Sequence, residues 1–186
     1  MTTVTVIFLV IATVSVAFAL CMYLLWYRSQ KLRDRFGPEY YRAVAREHGS
    51  TLRADSTLEQ RQNRVRQFHL RSLSREECNR FTAEWHAAQH KFVDDPRGAV
   101  AMADTAINHA LEARNYPMTD FEQRSADLSV EYPEAVQDYR IAHGIATADP
   151  GSGVSTEDLR KAMQHYRSLF ENLVGTAVSN QDEVYR

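Results

Sequence analysis

The feature that most constrains this chain is an uncharged stretch near its start. From Val4 to Tyr27 no residue carries a charge, and most side chains are apolar. As a helix this stretch would be about 36 Å long, and the hydrocarbon core of a bilayer is about 30 Å thick. The sequence therefore predicts that residues 1–27 form a transmembrane anchor that crosses the membrane once.

A cleaved secretory signal is the alternative for the same stretch. Ala17 and Ala19 form the A-x-A pattern of a cleavage site, but the apolar sequence continues beyond them to Trp26. The residues before Val4 are uncharged, whereas a signal peptide has a basic n-region and an apolar run of about 7–15 residues. We therefore expect the anchor to be retained, and an exported helical domain after signal cleavage stays the alternative.

The residues at the C-terminal end of the stretch predict its orientation. Tyr23, Trp26 and Tyr27 have the amphipathic rings that favour the headgroup layer. Four basic residues follow, namely Arg28, Lys31, Arg33 and Arg35. By the positive-inside rule the N-terminus lies outside and the C-terminal domain is cytoplasmic, which places the chain in the inner (cytoplasmic) membrane.

The net charge of −2 conceals an asymmetry along the chain. Residues 28–80 hold 13 Lys and Arg against 7 Asp and Glu, whereas residues 81–186 hold 9 against 17. A basic segment beside the span suits an anionic inner-leaflet surface, although solvated helix faces are the plainer interpretation. We do not expect a nucleic-acid partner, because acidic residues interrupt the basic ones and no binding motif accompanies them.

Helix signals recur along the rest of the chain, and alternating strand patterns do not. The sequence thus predicts an all-α protein, in which a single N-terminal transmembrane helix is followed by a multi-helix bundle. We expect a basic juxtamembrane helical segment over residues 28–73, a helical bundle domain over 74–174 and a flexible tail over 175–186. Cys21 and Cys78 are expected to stay reduced, since a reducing compartment suits both.

Capping residues and helix breakers predict where the helices begin and end. Gly37 and Pro38 should break the helix that leaves the membrane, and Gly49 should stop the next one. Asn115 and Gly175 should end two later helices. Helix starts are predicted at Ser56, Ser74, Asp95, Thr119, Pro133 and Ser155.

Three stripes of apolar residues at three- and four-residue spacing predict buried helix faces. They consist of Cys78, Phe81, Trp85, Ala88 and Phe92, then Val100, Ala103, Ile107 and Leu111, then Leu159, Tyr166, Leu169, Phe170 and Leu173. We interpret the aromatic members as core and not as a cofactor site, because their spacing follows one face of a helix.

Five segments carry a distinctive pattern: RFGPEY (35–40), FVDDP (92–96), DFEQRSADLSVEYPE (120–134), YRIAH (139–143) and STEDLRKAMQHYRSLFENL (155–173). Together they resemble a group of uncharacterised bacterial proteins with an N-terminal membrane segment and a helical domain. The resemblance covers most of the chain beyond the anchor and implies this architecture, but no activity. The group has Gly-Tyr-Pro where this chain has residues 115–117, and His-Pro where it has Tyr132 and Pro133, which argues against a catalytic histidine there.

The sequence contains no catalytic, cofactor-binding or metal-binding signature. His86 and His90 are the sharpest metal candidates, because residues four apart project from one helical face. The glutamate of a metalloprotease is missing between them, and neither CxxC nor Glu-x-x-His occurs. We interpret both histidines as solvated or partly packed, and we expect no catalytic residue, no cofactor and no metal.

Residues 120–143 mix charges, aromatic rings and turn signals. In the favoured interpretation they pack as a helix–turn–helix corner. Its buried residues would be Phe121, Leu128, Tyr132, Val136 and Tyr139. In the alternative, Arg124 and Tyr132 face a partner protein, because Arg and Tyr are frequent at binding hot spots.

The leading functional hypothesis is a membrane-anchored cytoplasmic helical interaction or scaffolding module of unknown biochemical activity. Its expected partners are the lipid bilayer and an unidentified protein or a second copy of the chain. A small-ligand-binding or enzymatic helical bundle is an alternative, which requires a pocket with converging polar groups.

Overall fold

The computed structural model describes residues 2–149, 151 and 153–184, without the side chains of residues 2, 4 and 176–184. The described residues form eight α-helices and contain no strand. These are α1 (Thr2–Phe36), α2 (Pro38–Arg46), α3 (Thr51–Arg66), α4 (Arg75–Lys91), α5 (Pro96–Ala113), α6 (Phe121–Leu128), α7 (Ala135–Ala146) and α8 (Thr156–Val184). The prediction of an all-α chain, with a long apolar N-terminal helix followed by a helical bundle, is confirmed.

The chain divides into two compact units, with the boundary between Leu58 and Glu59. The first unit holds α1, α2 and the first half of α3. The second holds the rest of α3 and helices α4 to α8. The subdivision into an anchor, a basic segment, a bundle domain and a tail stays a prediction.

The first unit is organised around the end of α1. Gly37, at φ 47°, ends this helix, and Pro38 opens α2, as predicted. Leu32 and Phe36 on α1 are buried, as is Tyr40 on α2. Helices α1 and α2 are in contact, so the C-terminal turns of α1 belong to a packed unit, whereas the apolar turns before them are exposed.

The second unit has a core between α4, α5, α7 and α8. The three predicted stripes line this core, and every member except the half-buried Phe92 is at most 5% exposed. Trp85 on α4 stacks on Phe170 on α8 with ring centroids 4.7 Å apart. The predicted core faces are therefore confirmed.

Several predicted helix boundaries are confirmed by their capping hydrogen bonds. Ser74 and Glu77 form a reciprocal capping box at the start of α4. The side chain of Asp95 accepts a hydrogen bond from the Gly98 N–H at the start of α5. Asn115 adopts φ 67° after the end of that helix, and Ser155 caps α8 by accepting a hydrogen bond from the Asp158 N–H.

The predicted helix start at Ser56 is wrong, because Ser56 lies inside α3. The helix begins at Thr51, directly after Ser50, whose hydroxyl accepts a hydrogen bond from the Arg53 N–H at 3.4 Å. Gly49, at φ 85°, follows the end of α2. No breaker stands between Thr51 and Ser56, so the helix starts at the earlier cap.

Gly175 does not end α8, which continues to Val184. A glycine inside a helix costs only about 1 kcal/mol relative to alanine, so an isolated one need not stop a long helix. The predicted tail therefore begins inside a helix, its flexibility stays a prediction, and residues 185–186 lie outside the described residues.

Two further helix starts are displaced by one or two residues. The cap of α6 is Asp120, which accepts from the Gln123 N–H, and not Thr119. Helix α7 begins at Ala135, two residues after Pro133, and ends at Ala146 as predicted.

Candidate functional site

The apolar part of α1 is the first candidate site, as a membrane-spanning segment. Between Thr5 and Phe36 an 18-residue window has a mean hydropathy of 2.6, and none of that window is buried. The ring of Tyr23 lies 6.3 Å from those of Trp26 and Tyr27, and all three side chains are exposed. This helix is long and apolar enough to cross a membrane, and a signal sequence meets the same criteria.

The start of α2 is attached to the turn of α1 that follows these rings. The hydroxyl oxygens of Ser29 and Tyr40 are 2.8 Å apart. The guanidinium of Arg33 lies over the Tyr40 ring, 5.2 Å from its centroid. Tyr40 is 1% exposed, so its ring is a packed connection between the two helices.

In the first unit most basic side chains are exposed, whereas two of the four acidic side chains are buried. Glu39 and Asp55 are buried, at 1% and 6% exposed. The exposed bases are Arg28, Lys31, Arg35, Arg42, Arg46 and Arg53. Among the acids of residues 28–58 only Asp34 is exposed, and Glu47 is half-buried. The exposed charged side chains next to the apolar helix are thus mostly basic.

In the second unit, residues 120–143 form the packed corner that the favoured interpretation describes. Leu128, Tyr132, Val136 and Tyr139 are buried, and Phe121 is half-buried.

The polar groups of this corner contact other groups of the bundle. Arg114 donates a hydrogen bond to the Tyr132 hydroxyl, and Arg124 Nε donates to the Tyr139 hydroxyl at 3.1 Å. The two residues considered for a partner surface, Arg124 and Tyr132, are therefore engaged within the unit.

A buried carboxylate on α6 has donors from two helices. Asp127 is 1% exposed; its Oδ1 accepts from Gln123 Nε2 at 2.8 Å and its Oδ2 from Arg64 Nε at 3.2 Å. Burial raises the pKa of Asp127, and these two hydrogen bonds oppose that rise. The sequence carries no signal for this contact, because Arg64 and Asp127 are far apart in the chain.

A second polar cluster links α5 and α8. It was also not predicted from the sequence. Tyr166, which is fully buried, donates to Asp104 Oδ1 at 3.0 Å, and Asn108 Nδ2 donates to Asp104 Oδ2 at 3.0 Å. Burial raises the pKa of Tyr166, and the neighbouring Asp104 raises it further. Burial also raises the pKa of Tyr139, to about 12. The pKa values of Tyr166 and Tyr139 are thus raised above the usual 10, so both residues keep their hydroxyl protons, which favours a structural role over proton transfer.

His143 lies beside this cluster, on α7. Its ring stacks on Phe121 with centroids 3.6 Å apart and an angle of 8° between the planes. Within the described residues, its Nδ1 atom is buried without a hydrogen-bond partner. Burial lowers the pKa of His143, so the neutral ring is favoured in the folded chain.

The histidines considered for metal binding lie on an exposed face of α4, which agrees with their interpretation as solvated residues. His86 and His90 are both exposed, and His86 Nδ1 is 3.1 Å from Gln89 Oε1. In the described part of the chain no group of three His, Cys, Asp or Glu side chains could hold a metal ion. The expectation that the protein needs no metal stays a prediction.

Two surface depressions of the second unit are candidate ligand sites. One lies between α4 and α8 and measures about 200 Å³; its lining includes Trp85, Phe92, Met163, Arg160 and Arg167. It is smaller than the range of about 300–1,000 Å³ usual for small-molecule sites.

The other depression is a groove of about 480 Å³ between α4 and α5. Four of its charged or titratable side chains pair with each other. Arg71 donates two hydrogen bonds to Glu77, at 2.7 and 2.8 Å, and His109 Nδ1 is 2.8 Å from Glu84 Oε2. A ligand in this groove would have to compete with these contacts.

No protein-family model matches the chain, and neither a curated protein nor a solved structure is significantly similar to it.

Proposed function

We propose that the chain is a membrane-tethered α-helical interaction or scaffolding module. In this proposal α1 spans the inner (cytoplasmic) membrane, and residues 28–186 lie on the cytoplasmic side. One observation carries it: α1 is a continuous helix whose exposed apolar part ends in the rings of Tyr23, Trp26 and Tyr27, which we call the aromatic belt. Exposed basic residues follow the belt on the same helix. The resemblance to membrane-anchored bacterial proteins of unknown activity is consistent with it.

The orientation follows from the bases after the span. Arg28, Lys31 and Arg35 are exposed beyond Tyr27, and the membrane side that retains such residues during insertion is the cytoplasmic one. A tether confines the bundle to a surface and raises its effective concentration for any partner on the same membrane. A weak helical contact with a second protein, or with a second copy of the chain, would therefore suffice.

Alkaline extraction and site-directed labelling test the tether and its orientation. We expect the full chain to stay with the membrane at alkaline pH. Val93, which is 86% exposed in the second unit, provides the labelling site as Val93→Cys in a Cys21→Ala background. We expect a membrane-impermeant maleimide to label it only after permeabilisation. Labelling in intact cells would refute the orientation.

An exported helical domain is the first alternative, because Ala17 and Ala19 resemble a cleavage site and because a signal sequence meets the same criteria as α1. Intact-mass measurement of the mature protein separates the two. A mass that begins at Leu20 would support export, and the mass of the uncleaved chain supports the tether.

A ligand-binding bundle is the second alternative, favoured by the groove between α4 and α5. Arg80 lines this groove and lies over the Phe81 ring, 4.7 Å from its centroid. A ligand of the groove should raise the melting temperature of the wild type and not of Arg80→Ala. Without such a ligand, the interaction module remains the better account.

A further inference from the structure

We propose that the exposed basic surface of residues 28–58 binds anionic phospholipid headgroups of the bilayer that α1 crosses. The inference rests on the proposed function, because it requires α1 to lie in the membrane. It goes further by naming the binding partner of the surface beside the span, which is a lipid and not a protein.

Burial of the acidic side chains is the first observation that supports this inference. Glu39 and Asp55 are 1% and 6% exposed, so their carboxylates are not among the side chains that a lipid headgroup can contact. The exposed bases of the same unit are Arg28, Lys31, Arg35, Arg42, Arg46 and Arg53. Since each base near an anionic leaflet strengthens attachment, the packing of the first unit sorts its charges in favour of lipid binding.

The second observation is the distance of this surface from the aromatic belt. Because α1 is continuous, Lys31 and Arg35 lie about 6 and 12 Å beyond Tyr27 along its axis. The field of a charged leaflet decays over a Debye length of about 8 Å at physiological salt. Lys31 therefore lies within this distance, whereas the backbone of Arg35 lies about 4 Å beyond it.

The start of α2 is attached at the same level. Ser29 is two residues beyond Tyr27, and its hydroxyl oxygen is 2.8 Å from that of Tyr40. The Tyr40 ring therefore reaches the turn of α1 that directly follows the aromatic belt.

The third observation is a pair of exposed apolar side chains, each followed by an exposed arginine. Tyr41 is 61% exposed and precedes Arg42, and Leu52 is 64% exposed and precedes Arg53. Elements that lie in the headgroup layer combine these two properties, because the apolar group inserts while the base contacts phosphate. The apolar surfaces of Tyr41 and Leu52 are unfavourably exposed in water, and the lipid surface offers them a favourable environment.

The experiment reconstitutes the full chain in nanodiscs of phosphatidylcholine, either alone or with about 30 mol% phosphatidylglycerol. An environment-sensitive fluorophore is attached to Tyr41→Cys in a Cys21→Ala background, where the remaining Cys78 is buried. We expect its emission to shift to the blue in the anionic discs and to be quenched by headgroup-labelled lipid. The same label on Val93→Cys, in the second unit, should respond to neither.

Charge variants then test the basis of the attachment. Lys31→Gln, Arg35→Gln and Arg53→Gln together should reduce the ratio of lipid-bound to unbound label, by at most about fivefold for each base removed. The matched control replaces three exposed bases of the second unit, Arg97, Lys161 and Arg167, and should leave that ratio unchanged. Salt at about 1 M should release the basic surface from the anionic lipid, because it shortens the Debye length to about 3 Å.

The outcomes separate this inference from the proposed function. Quenching of Trp26 by lipids labelled in the acyl chain reports on the span itself. If Trp26 is quenched but the label at position 41 ignores lipid charge, the lipid surface is ruled out and an acidic protein becomes the better occupant. If Trp26 is not quenched, the membrane tether itself is refuted.

Discussion

The Nε atom of Arg64 lies 3.2 Å from Oδ2 of Asp127, although the two residues are 63 positions apart. The Arg64 side chain is 44% exposed and the Asp127 side chain is 1% exposed. The contact joins the C-terminal half of α3 to α6 within the second unit. A buried carboxylate is tolerated here because Arg64 and Gln123 donate hydrogen bonds to its two oxygens.

Removing Arg64 should therefore destabilise the second unit. We expect Arg64→Ala to lower the free energy of unfolding by about 1–3 kcal/mol, because it leaves a buried acceptor with one donor fewer. Urea unfolding of the full chain in detergent, followed by circular dichroism, measures this loss. Arg66→Ala, an exposed neighbour on α3, is the matched control. An equal loss in both variants would contradict the prediction.

The same contact predicts a pH dependence. Burial raises the pKa of Asp127 above its usual 3.8, so the folded state binds its proton more tightly than the unfolded state. Asp127 therefore contributes most to stability below pH 3.8. This contribution decreases as the pH rises through the folded-state pKa of Asp127. The cost of Arg64→Ala should be greater at neutral pH than in acid, because only the ionised carboxylate needs the guanidinium.

His143 should produce the opposite trend. Burial lowers its pKa below 6.5, so the unfolded state binds its proton more readily. The stability that neutral His143 contributes is thus fully present above about pH 6.5. It decreases as the pH falls through the folded-state pKa of His143. His143→Phe keeps a ring against Phe121 and should reduce this acid sensitivity, whereas His86→Gln on the exposed face should not. Identical pH profiles for the wild type and His143→Phe would exclude this role.

Asp104 should be important for stability although it lies among small residues. Asp104→Ala leaves the Tyr166 hydroxyl and the Asn108 amide without their acceptor, which we expect to cost about 1–3 kcal/mol. Thr105→Ala, the adjacent exposed position, should change stability by less than about 0.5 kcal/mol. Thermal unfolding of both variants provides the comparison, and a neutral Asp104→Ala would show that water replaces the carboxylate.

The Trp85–Phe170 stack predicts the largest loss. Phe170 is 5% exposed and joins α8 to α4. Phe170→Ala should cost about 3–5 kcal/mol because it leaves a cavity in the core. Val93→Ala should be nearly silent, because Val93 is 86% exposed. A small effect of Phe170→Ala in urea unfolding would mean that α4 and α8 do not depend on this contact.

The capping box of α4 should lose its effect in acid. Arg71 holds the pKa of Glu77 at about 2, with help from the Ser74 N–H. This contribution is present above about 4.5 and is lost as the pH falls towards about 2. Glu77→Gln should remove that part of the acid transition, and Glu76→Gln, the exposed neighbour, should retain it. Acid titration of the helical signal distinguishes the variants.

Local features of the structure were largely predictable from the sequence. The caps at Ser74, Asp95 and Ser155 were found because a capping residue and the N–H groups it accepts from lie within four positions. Ser56 and Gly175 were misassigned for a related reason. Each matches a local pattern for a helix end, but a residue inside a long helix can satisfy the same pattern without interrupting it.

The sequence by itself determined the all-α class, the apolar helix near the start and the faces that pack, because helical periodicity and apolar length are properties of neighbouring residues. Only the tertiary structure decided that Asp104 meets Tyr166, that Arg64 meets Asp127, and that Glu39 is buried. These outcomes depend on how separate helices are placed against each other. A count of charged residues along the chain does not show which acidic side chains are buried and which basic ones are exposed. The packing of the helices decides this.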